Sequence, residues 1–208
     1  VRRLYEDRQG NLWISTQDAG ACRFDGKTIT TFTVEDGLAS NVVESIREDS
    51  EGNIWFATSE GLSRYDGREF STFTTEHGLA HRAIVAISED SDGNLWIGSR
   101  HLGLARYDGE RFRSFGAEDG LAGDGVTAIL QDRDGQLWFG TNGGGVCRFD
   151  GNTFSTFTMS DGLAGNVVFS IAQATDGFLW FGTNGGGVSR YDGQTFTTYT
   201  TQDGLSGN

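Results

Sequence analysis

The stretch Thr175–Gly193, TDGFLWFGTNGGGVSRYDG, decides the fold of this chain because versions of it occur five times. A nearly identical version, RDGQLWFGTNGGGVCRFDG, spans Arg133–Gly151, and looser versions surround the other tryptophans. All tryptophans hold the same place in these versions, at spacings of 42, 41, 42 and 42 residues: Trp13, Trp55, Trp96, Trp138 and Trp180. A period of this length that covers the whole chain is typical of solenoids and propellers.

One repeat predicts four short strands. In the second copy, Val43–Asp49 carries apolar and small residues, and the Ser50–Asn53 turn separates it from Ile54–Thr58, which is apolar on both faces. Leu62–Asp66 and the aromatic- and threonine-rich Phe70–Thr74 follow, joined by an Asp-Gly hairpin signal. Four strands per repeat predict an all-β chain, a β-propeller of five four-stranded antiparallel blades of about 42 residues each.

The repeats use the whole chain, so we expect a single propeller domain over residues 1–208. The predicted blades are approximately 1–42, 43–83, 84–125, 126–167 and 168–208. The chain opens at a first strand without Met, which favours an excised segment or a mature fragment. Closure would require blade five to pack directly on blade one. If five blades do not close, exposed sheet faces are expected to drive homo-oligomerisation.

Composition narrows the possible partners. The 208 residues carry a net charge of −13, which argues against binding to nucleic acid or to an anionic membrane. No apolar run reaches membrane-spanning length. Cys22 and Cys147 fall at one repeat position in blades that are not neighbours, so we expect two buried free thiols rather than a disulfide. No Cys/His metal spacing or nucleophile–base pair occurs, so no cofactor and no enzymatic activity are predicted.

The repeated motif resembles the two-component regulator propeller repeat. The residues that match the family motif are Glu48-Asp49, Gly52–Trp55, Gly61–Gly67 and Asp36–Leu38, together with their copies over the entire chain. That family forms the extracytoplasmic sensor region of bacterial hybrid two-component receptors, so the resemblance implies a periplasmic sensing role. Family sensors usually carry more than five blades, followed by a membrane span and a kinase, which this chain does not contain. A second resemblance is to streptogramin lyase-like propellers, whose Thr-Glu is replaced here by Gly-Thr or Ala-Thr.

Strand directions place the loops between strands two and three on the same face as the blade-to-blade segments. We call this the top face, and its loops vary between copies, whereas the turns of the opposite, bottom face are nearly identical. Ligand recognition is expected where the copies differ. The candidate ligand-binding residues are Asp18, Glu60, His81, Arg82, Arg100, His101, Asn142 and Asn184.

Four of these residues lie in blade three or directly before its first strand: His81, Arg82, Arg100 and His101. Arginine and histidine together indicate an anion or carboxylate pocket, or a weak metal site. The competing interpretation is a diverged, solvent-exposed pair of loops. Two exposed histidines rarely suffice for a metal site, so we predict no bound metal.

Residues that recur once per blade are interpreted as structural. The tryptophans are expected to pack between blades, with Gly or Ala two residues later in four of the blades making room for the neighbouring sheet. The recurring arginines are expected to stack on aromatic rings or to form ion pairs within each blade: Arg23, Arg64, Arg106, Arg148 and Arg190. Asp7, Asp49, Asp90 and Asp132 are expected to accept N–H bonds from the following turn, and Ala174 replaces them in blade five.

The sequence leaves three hypotheses for function. The first is a non-enzymatic binding or sensing scaffold that presents top-face loops to a small molecule, a glycan or a protein. The second is a structural, engineered or amplified repeat propeller that has no ligand and can self-assemble. The third, with the least support, is a lyase-like enzyme.

Overall fold

The computed structural model describes all residues, Val1–Asn208, and contains twenty strands in five four-stranded antiparallel sheets. Blade one consists of β1 (Arg3–Glu6), β2 (Leu12–Ser15), β3 (Ala21–Phe24) and β4 (Ile29–Phe32). Blade two consists of β5 (Val43–Glu48), β6 (Ile54–Thr58), β7 (Gly61–Tyr65) and β8 (Phe70–Phe73). Blade three consists of β9 (Ile84–Glu89), β10 (Leu95–Ser99), β11 (Leu104–Tyr107) and β12 (Phe112–Phe115). Blade four consists of β13 (Val126–Gln131), β14 (Leu137–Thr141), β15 (Val146–Phe149) and β16 (Phe154–Phe157). Blade five consists of β17 (Val168–Gln173), β18 (Leu179–Thr183), β19 (Val188–Tyr191) and β20 (Phe196–Tyr199).

The sheets confirm the predicted fold class. Each blade pairs its strands in chain order, first to second, second to third and third to fourth. In blade two the second strand is predicted without error, and the ends of the other strands differ from the prediction by at most one residue. The agreement is close because the tight turns at Asp and Gly mark the strand ends in every copy.

Each blade ends in a 3-10 turn that the sequence did not reveal. The turns are Val34–Asp36, Thr75–His77, Ala117–Asp119, Met159–Asp161 and Thr201–Asp203. In the first, the Thr33 side chain accepts from the Glu35 N–H, Asp36 accepts back from the Thr33 N–H, and Gly37 closes the turn at φ +106°. Three residues are too few to show a helical period, so the recurring Asp-Gly-Leu is explained only in the folded chain.

The chain forms two compact units. The first comprises Val1–Ser99 with Ala105–Ser114, and the second comprises Arg100–Leu104 with Phe115–Asn208. None of the helical turns has the length or apolar character that crossing a membrane requires.

Tryptophan fills the space between successive sheets in the first unit. The Trp13 ring stacks on Phe32 of its own blade at 5.6 Å and meets Phe56 of blade two edge-on at 5.5 Å. Trp55 repeats this arrangement between Phe73 and Tyr107. Both indoles are 1% exposed, so each one is part of an interface between blades.

The second unit packs by the same rule. Trp138 stacks on Phe157 of its own blade and contacts Phe181 of blade five, in each case at 5.7 Å between ring centroids. A Cβ atom on Gly140 would lie 2.9 Å from the Val168 side chain, so this glycine is required by the close approach of blade five. Trp180 stacks on Tyr199 at 5.6 Å but remains half-buried.

Both cysteines are free thiols. Cys147 is buried, whereas Cys22 is half-buried, so the prediction that both are buried was wrong for Cys22. The repeat position also has a role that the sequence did not show, because the Ser63 hydroxyl accepts the N–H of Ala39 in the preceding linker at 2.9 Å. The Cys147 thiol accepts an N–H from the linker before its own blade in the same way, at 3.2 Å, and burial raises its pKa.

Candidate functional site

The bottom-face turns are held by a buried carboxylate. Asp7 Oδ1 accepts N–H bonds from Gln9 at 3.0 Å and from Asn11 at 2.8 Å, as expected. Its Oδ2 also accepts the indole Nε1–H of Trp13 at 2.8 Å, a bond that the sequence analysis missed although the six-residue spacing recurs in four blades. Burial raises the pKa of Asp7, but the bonds from Asn11 and Trp13 outweigh burial and leave it below its ordinary value.

Four of the five recurring arginines lie over the tryptophan of their own blade. Trp138 and Arg148 are cross-strand partners in β14 and β15, and the Arg148 guanidinium carbon lies 5.8 Å from the Trp138 ring centroid. The distance is 5.8 Å at Arg23 and 5.9 Å at Arg64, whereas Arg190 lies 4.5 Å over Phe178. These guanidinium groups therefore face aromatic rings within their own blades.

Small clefts open between adjacent blades on the bottom face. One cleft of about 50 Å³ lies beside Asp7, Trp13 and Arg23, and one of about 80 Å³ lies beside Asp49, Trp55 and Arg64. The Nε of Arg23 and that of Arg64 are buried without a protein partner. At about 30 Å³ per water molecule, these two clefts have room for about two or three waters each, which would complete the hydrogen bonding. A third cleft of about 260 Å³ lies in the second unit between blades four and five.

The Tyr/Phe-Asp-Gly hairpins on the bottom face depend on ionised carboxylates. Asp66 Oδ1 accepts N–H bonds from Arg68 at 2.8 Å and from Glu69 at 2.9 Å. Backbone hydrogen bonds, from Glu69 first, lower the pKa of Asp66 below its ordinary value. The same residue in every blade has a lowered pKa for the same reason: Asp25, Asp108, Asp150 and Asp192.

These lowered pKa values predict an acid-sensitive fold. Because the carboxylates bind protons less readily when folded, their stabilisation is complete above the ordinary Asp pKa of about 3.9 and is lost as the pH falls further. The melting temperature is expected to drop between about pH 4 and pH 2. A variant with all five aspartates changed to Asn, which keeps an acceptor oxygen, should show a shallower drop. Equal acid dependence in both proteins would contradict this prediction.

The top-face loops of the first unit form one continuous surface. The blade-to-blade segment bonds to the loop of blade one through Val43 N–H to Thr16 O and Gly20 N–H to Asn41 O, each at 2.9 Å. It also bonds to the loop of blade two through Ser59 N–H to Val42 O at 3.2 Å. We define this surface as the first top-face surface, comprising Thr16–Gly20, Ser40–Val42, Ser59-Glu60 and His81-Arg82.

Glu60 and Arg82 form an ion pair at 3.3 Å on this surface. Their side chains are 53% and 67% exposed, so both charges remain open to solvent. The neighbouring His81 is half-buried, and its Nδ1 accepts the Ala83 N–H at 3.0 Å. Arg82 is therefore already paired with a carboxylate, which makes this part of the predicted anion pocket a surface of mixed charge.

Arg82 departs from the repeat, and this departure changes a hydrogen bond. In three of the five copies the equivalent residue is an asparagine whose Oδ1 accepts an N–H from the preceding 3-10 turn. The bond joins Asn41 to Val34 at 3.0 Å and Asn166 to Met159 at 2.9 Å. Arg82 replaces that turn-closing amide with a charge that reaches Glu60 instead. The two copies that lack the asparagine, at Arg82 and Asp124, flank blade three.

The other candidates are distributed over both units. Asp18 is exposed in the first unit, whereas Arg100, His101, Asn142 and Asn184 belong to the second. The Asn142 N–H donates to Gly125 O and the Asn184 N–H to Val167 O, both at 2.9 Å, and both side chains are exposed. A site that joins all four blade-three residues stays a prediction. No group of three or more His, Cys, Asp or Glu residues is placed to hold a metal ion.

The fold and its repeated blade contacts define a β-propeller. The sequence pattern of the family described as two component regulator propeller matches residues 1–18, 37–60, 78–101, 120–143 and 162–185. The matches cover more than half of the chain, which therefore belongs to this family. No curated protein has a significant sequence match to it.

Two kinds of solved structure are similar to this chain. The extracellular domain of the putative hybrid two component system BT3049 from B. thetaiotaomicron aligns with a TM-score of 0.85 and 24% identity, over 97% of this chain and 29% of that one. A virginiamycin B lyase from Staphylococcus aureus, crystallised with quinupristin, aligns with a TM-score of 0.77 and 19% identity, over 96% of this chain and 69% of the lyase. These similarities show the fold. The chain spans less than a third of the length of the BT3049 extracellular domain that it matches.

Proposed function

We propose that this propeller is a non-enzymatic binding scaffold in the extracytoplasmic sensor region of a bacterial two-component receptor. The first top-face surface would bind a small molecule, a glycan or a protein. Membership of the two component regulator propeller family and the extracellular origin of the aligned B. thetaiotaomicron domains support the location and the sensing role.

The main support for this binding site is that the residues of the bottom face are repeated in the blades, whereas those of the top face vary. On the bottom face, the repeated carboxylates all accept the indole N–H of the tryptophan in their own blade, at Asp7, Asp49, Asp90 and Asp132. On the top face, the linker position changes from a turn-closing Asn41 to a charged Arg82 paired with Glu60. Residues that are repeated in every blade stabilise its structure. Binding specificity is therefore expected from the loops that differ between blades.

The chemistry of the Glu60–Arg82 pair suits a polar ligand. An exposed ion pair is worth only about 0–1 kcal/mol, so opening it to admit a ligand costs little. The guanidinium can then donate to a carboxylate or hydroxyl, and the carboxylate can accept from a hydroxyl or ammonium group. We expect ligands that carry both donor and acceptor groups.

Loop variants test this proposal. A thermal-shift screen with amino acids, organic acids and small oligosaccharides, followed by calorimetric titration of the hits, would identify a ligand. Arg82→Ala and Glu60→Ala are each expected to weaken its binding by about tenfold or more, because each removes a charge-assisted hydrogen bond. Their melting temperatures should stay close to that of the unaltered protein, since the pair is exposed.

Two further variants sharpen the test. Arg68→Ala removes an exposed arginine from a bottom-face hairpin and should leave binding unchanged. The double variant with Arg100 and His101 changed to Ala shows whether the blade-three loop contributes to the same site. Unchanged affinity in Arg82→Ala and Glu60→Ala would remove the site assignment.

A ligand-free structural propeller is the second candidate. The identity of Thr141–Gly145 and Thr183–Gly187 supports it, since two copies of one plain loop offer no specificity. Failure of every ligand class in the screen, together with self-association in solution, would favour this candidate.

A further inference from the structure

The bottom-face turn of blade four departs from the repeat at one polar residue. In blades one, two and three an asparagine at this position donates its side-chain N–H to the carboxylate of the same turn. These bonds join Asn11 to Asp7 at 2.8 Å, Asn53 to Asp49 at 2.9 Å and Asn94 to Asp90 at 3.0 Å. Blade four has Gln136 here, which bonds to Asp132 through its backbone N–H at 2.9 Å but not through its side-chain amide.

This change leaves hydrogen-bonding groups unused in blade four. Asp132 Oδ1 accepts N–H bonds from Asp134 at 3.0 Å and from Gln136 at 2.9 Å, whereas Oδ2 accepts only the Trp138 indole N–H at 2.7 Å. Each carboxylate oxygen has two lone-pair sites, so Oδ2 can accept a second donor where the other blades supply the asparagine amide. Arg148, whose guanidinium carbon lies 5.8 Å from the Trp138 ring centroid, donates to no acceptor of the chain.

The same groups line the cleft between blades four and five. Its volume of about 260 Å³ compares with about 50 Å³ and about 80 Å³ for the two clefts that are lined by Asn11 and Asn53. At about 30 Å³ per water molecule it has room for about eight or nine waters, and it approaches the lower limit of about 300 Å³ for ligand pockets. Covalently bonded atoms pack more closely than liquid water, so a single six-membered ring with its substituents fits.

The charges of the cleft select among small ligands. Asp132, Asp134 and Asp192 line it together with a single cation, Arg148, so an anion is repelled. A simple cation would pair with the carboxylates but would leave the donors of Arg148 and Gln136 without acceptors. A hydroxyl group both donates and accepts, so adjacent hydroxyl groups on a neutral molecule can satisfy both kinds of group.

We propose that this cleft binds a neutral polyhydroxylated small molecule, a cyclic polyol or a single sugar ring. One hydroxyl donates to Asp132 Oδ2 in place of the missing asparagine amide, and neighbouring hydroxyl oxygens accept from Gln136 and Arg148. The cleft shares no residue with the first top-face surface, so this proposal is independent of the function proposed above.

Titration followed by nuclear magnetic resonance tests the proposal, with myo-inositol and glucose as neutral probes and glucuronate as an anion of matched size. A neutral probe should bind with a dissociation constant of about 1 mM, because the cleft is open and the contacts are few. The indole N–H resonance of Trp138 should shift, and those of Trp13 and Trp55 should not. Glucuronate should bind at least about tenfold more weakly than glucose. No binding of either neutral probe at about 100 mM, equal shifts at all three indoles, or equal affinity for glucuronate would each overturn the proposal.

Restoring the repeat gives the sharpest variant. Gln136→Asn should return the amide donor to Asp132 and weaken binding of the neutral probe by at least about tenfold. Its melting temperature should be unchanged or higher, since the carboxylate gains a hydrogen bond. Asn53→Gln makes the reverse exchange in blade two and is the matched control, with unchanged affinity at the Trp138 resonance. Arg82→Ala should also bind the probe normally. Affinity that survives Gln136→Asn, or that falls equally in Asn53→Gln, overturns the site.

Discussion

Replacing Trp55 by alanine is expected to lower the free energy of unfolding by about 3–5 kcal/mol. The Trp55 ring is 1% exposed and lies between Phe73 of its own blade at 5.6 Å and Tyr107 of the next blade at 5.7 Å. Its removal leaves a cavity in the contact between two blades, which the surrounding rigid sheets cannot collapse to fill. Chemical denaturation followed by circular dichroism measures the loss.

The matched control for Trp55→Ala is Trp180→Ala. Trp180 has the same place in its blade and stacks on Tyr199 at 5.6 Å, but it is half-buried. Because the hydrophobic contribution scales with the buried apolar area, we expect a loss of about half that for Trp55 or less. Equal losses for the two variants would show that the indole acts within its own blade and not between blades.

Replacing Asp49 by alanine is expected to cost about 2–3 kcal/mol. Asp49 is 6% exposed, and it accepts N–H bonds from Glu51 at 3.0 Å, from Asn53 at 2.8 Å and from the Trp55 indole at 2.6 Å. Alanine removes this acceptor and leaves the indole N–H buried without a partner, which costs more than the net value of the bond itself. The denaturation midpoint should fall, with little change in the denaturant slope.

The chain also offers the reverse of that experiment. Blade five has Ala174 at the position of Asp49, yet its turn keeps the same backbone bonds, Ala174 N–H to Phe178 O at 2.9 Å and Gly177 N–H to Ala174 O at 3.0 Å. Ala174→Asp should supply an acceptor for the Trp180 indole and stabilise the protein by about 1 kcal/mol. If Asp49→Ala is neutral, or if Ala174→Asp destabilises, the carboxylate has no role as an indole anchor.

The blade could be predicted from the sequence in detail because its rules are local and repeated. The apolar Ile54–Thr58 and the turn before it are visible in the chain, and five copies average out the ambiguity of any single one. The carboxylate–indole bond could have been found from the Asp-to-Trp spacing. The 3-10 turn at Thr75–His77 was missed because three residues are too few to show a helical period.

His77 shows why the candidate site was harder to predict. All three histidines of the chain lie between positions 77 and 101, but His77 takes the place of Asp36 in the 3-10 turn, and its Nδ1 accepts the Thr74 N–H at 3.1 Å. His81 likewise bonds to its own loop. The identity of a residue in a loop leaves its partner undetermined, since loop backbones place side chains without a fixed period.

The sequence by itself determined the family, the five blades and the residues that hold each blade together, because a 42-residue repeat encodes one supersecondary unit several times. Only the tertiary structure decided which variable residues meet. Glu60 and Arg82 are 22 positions apart and form a pair because the loop of one blade lies beside the following linker on the same face.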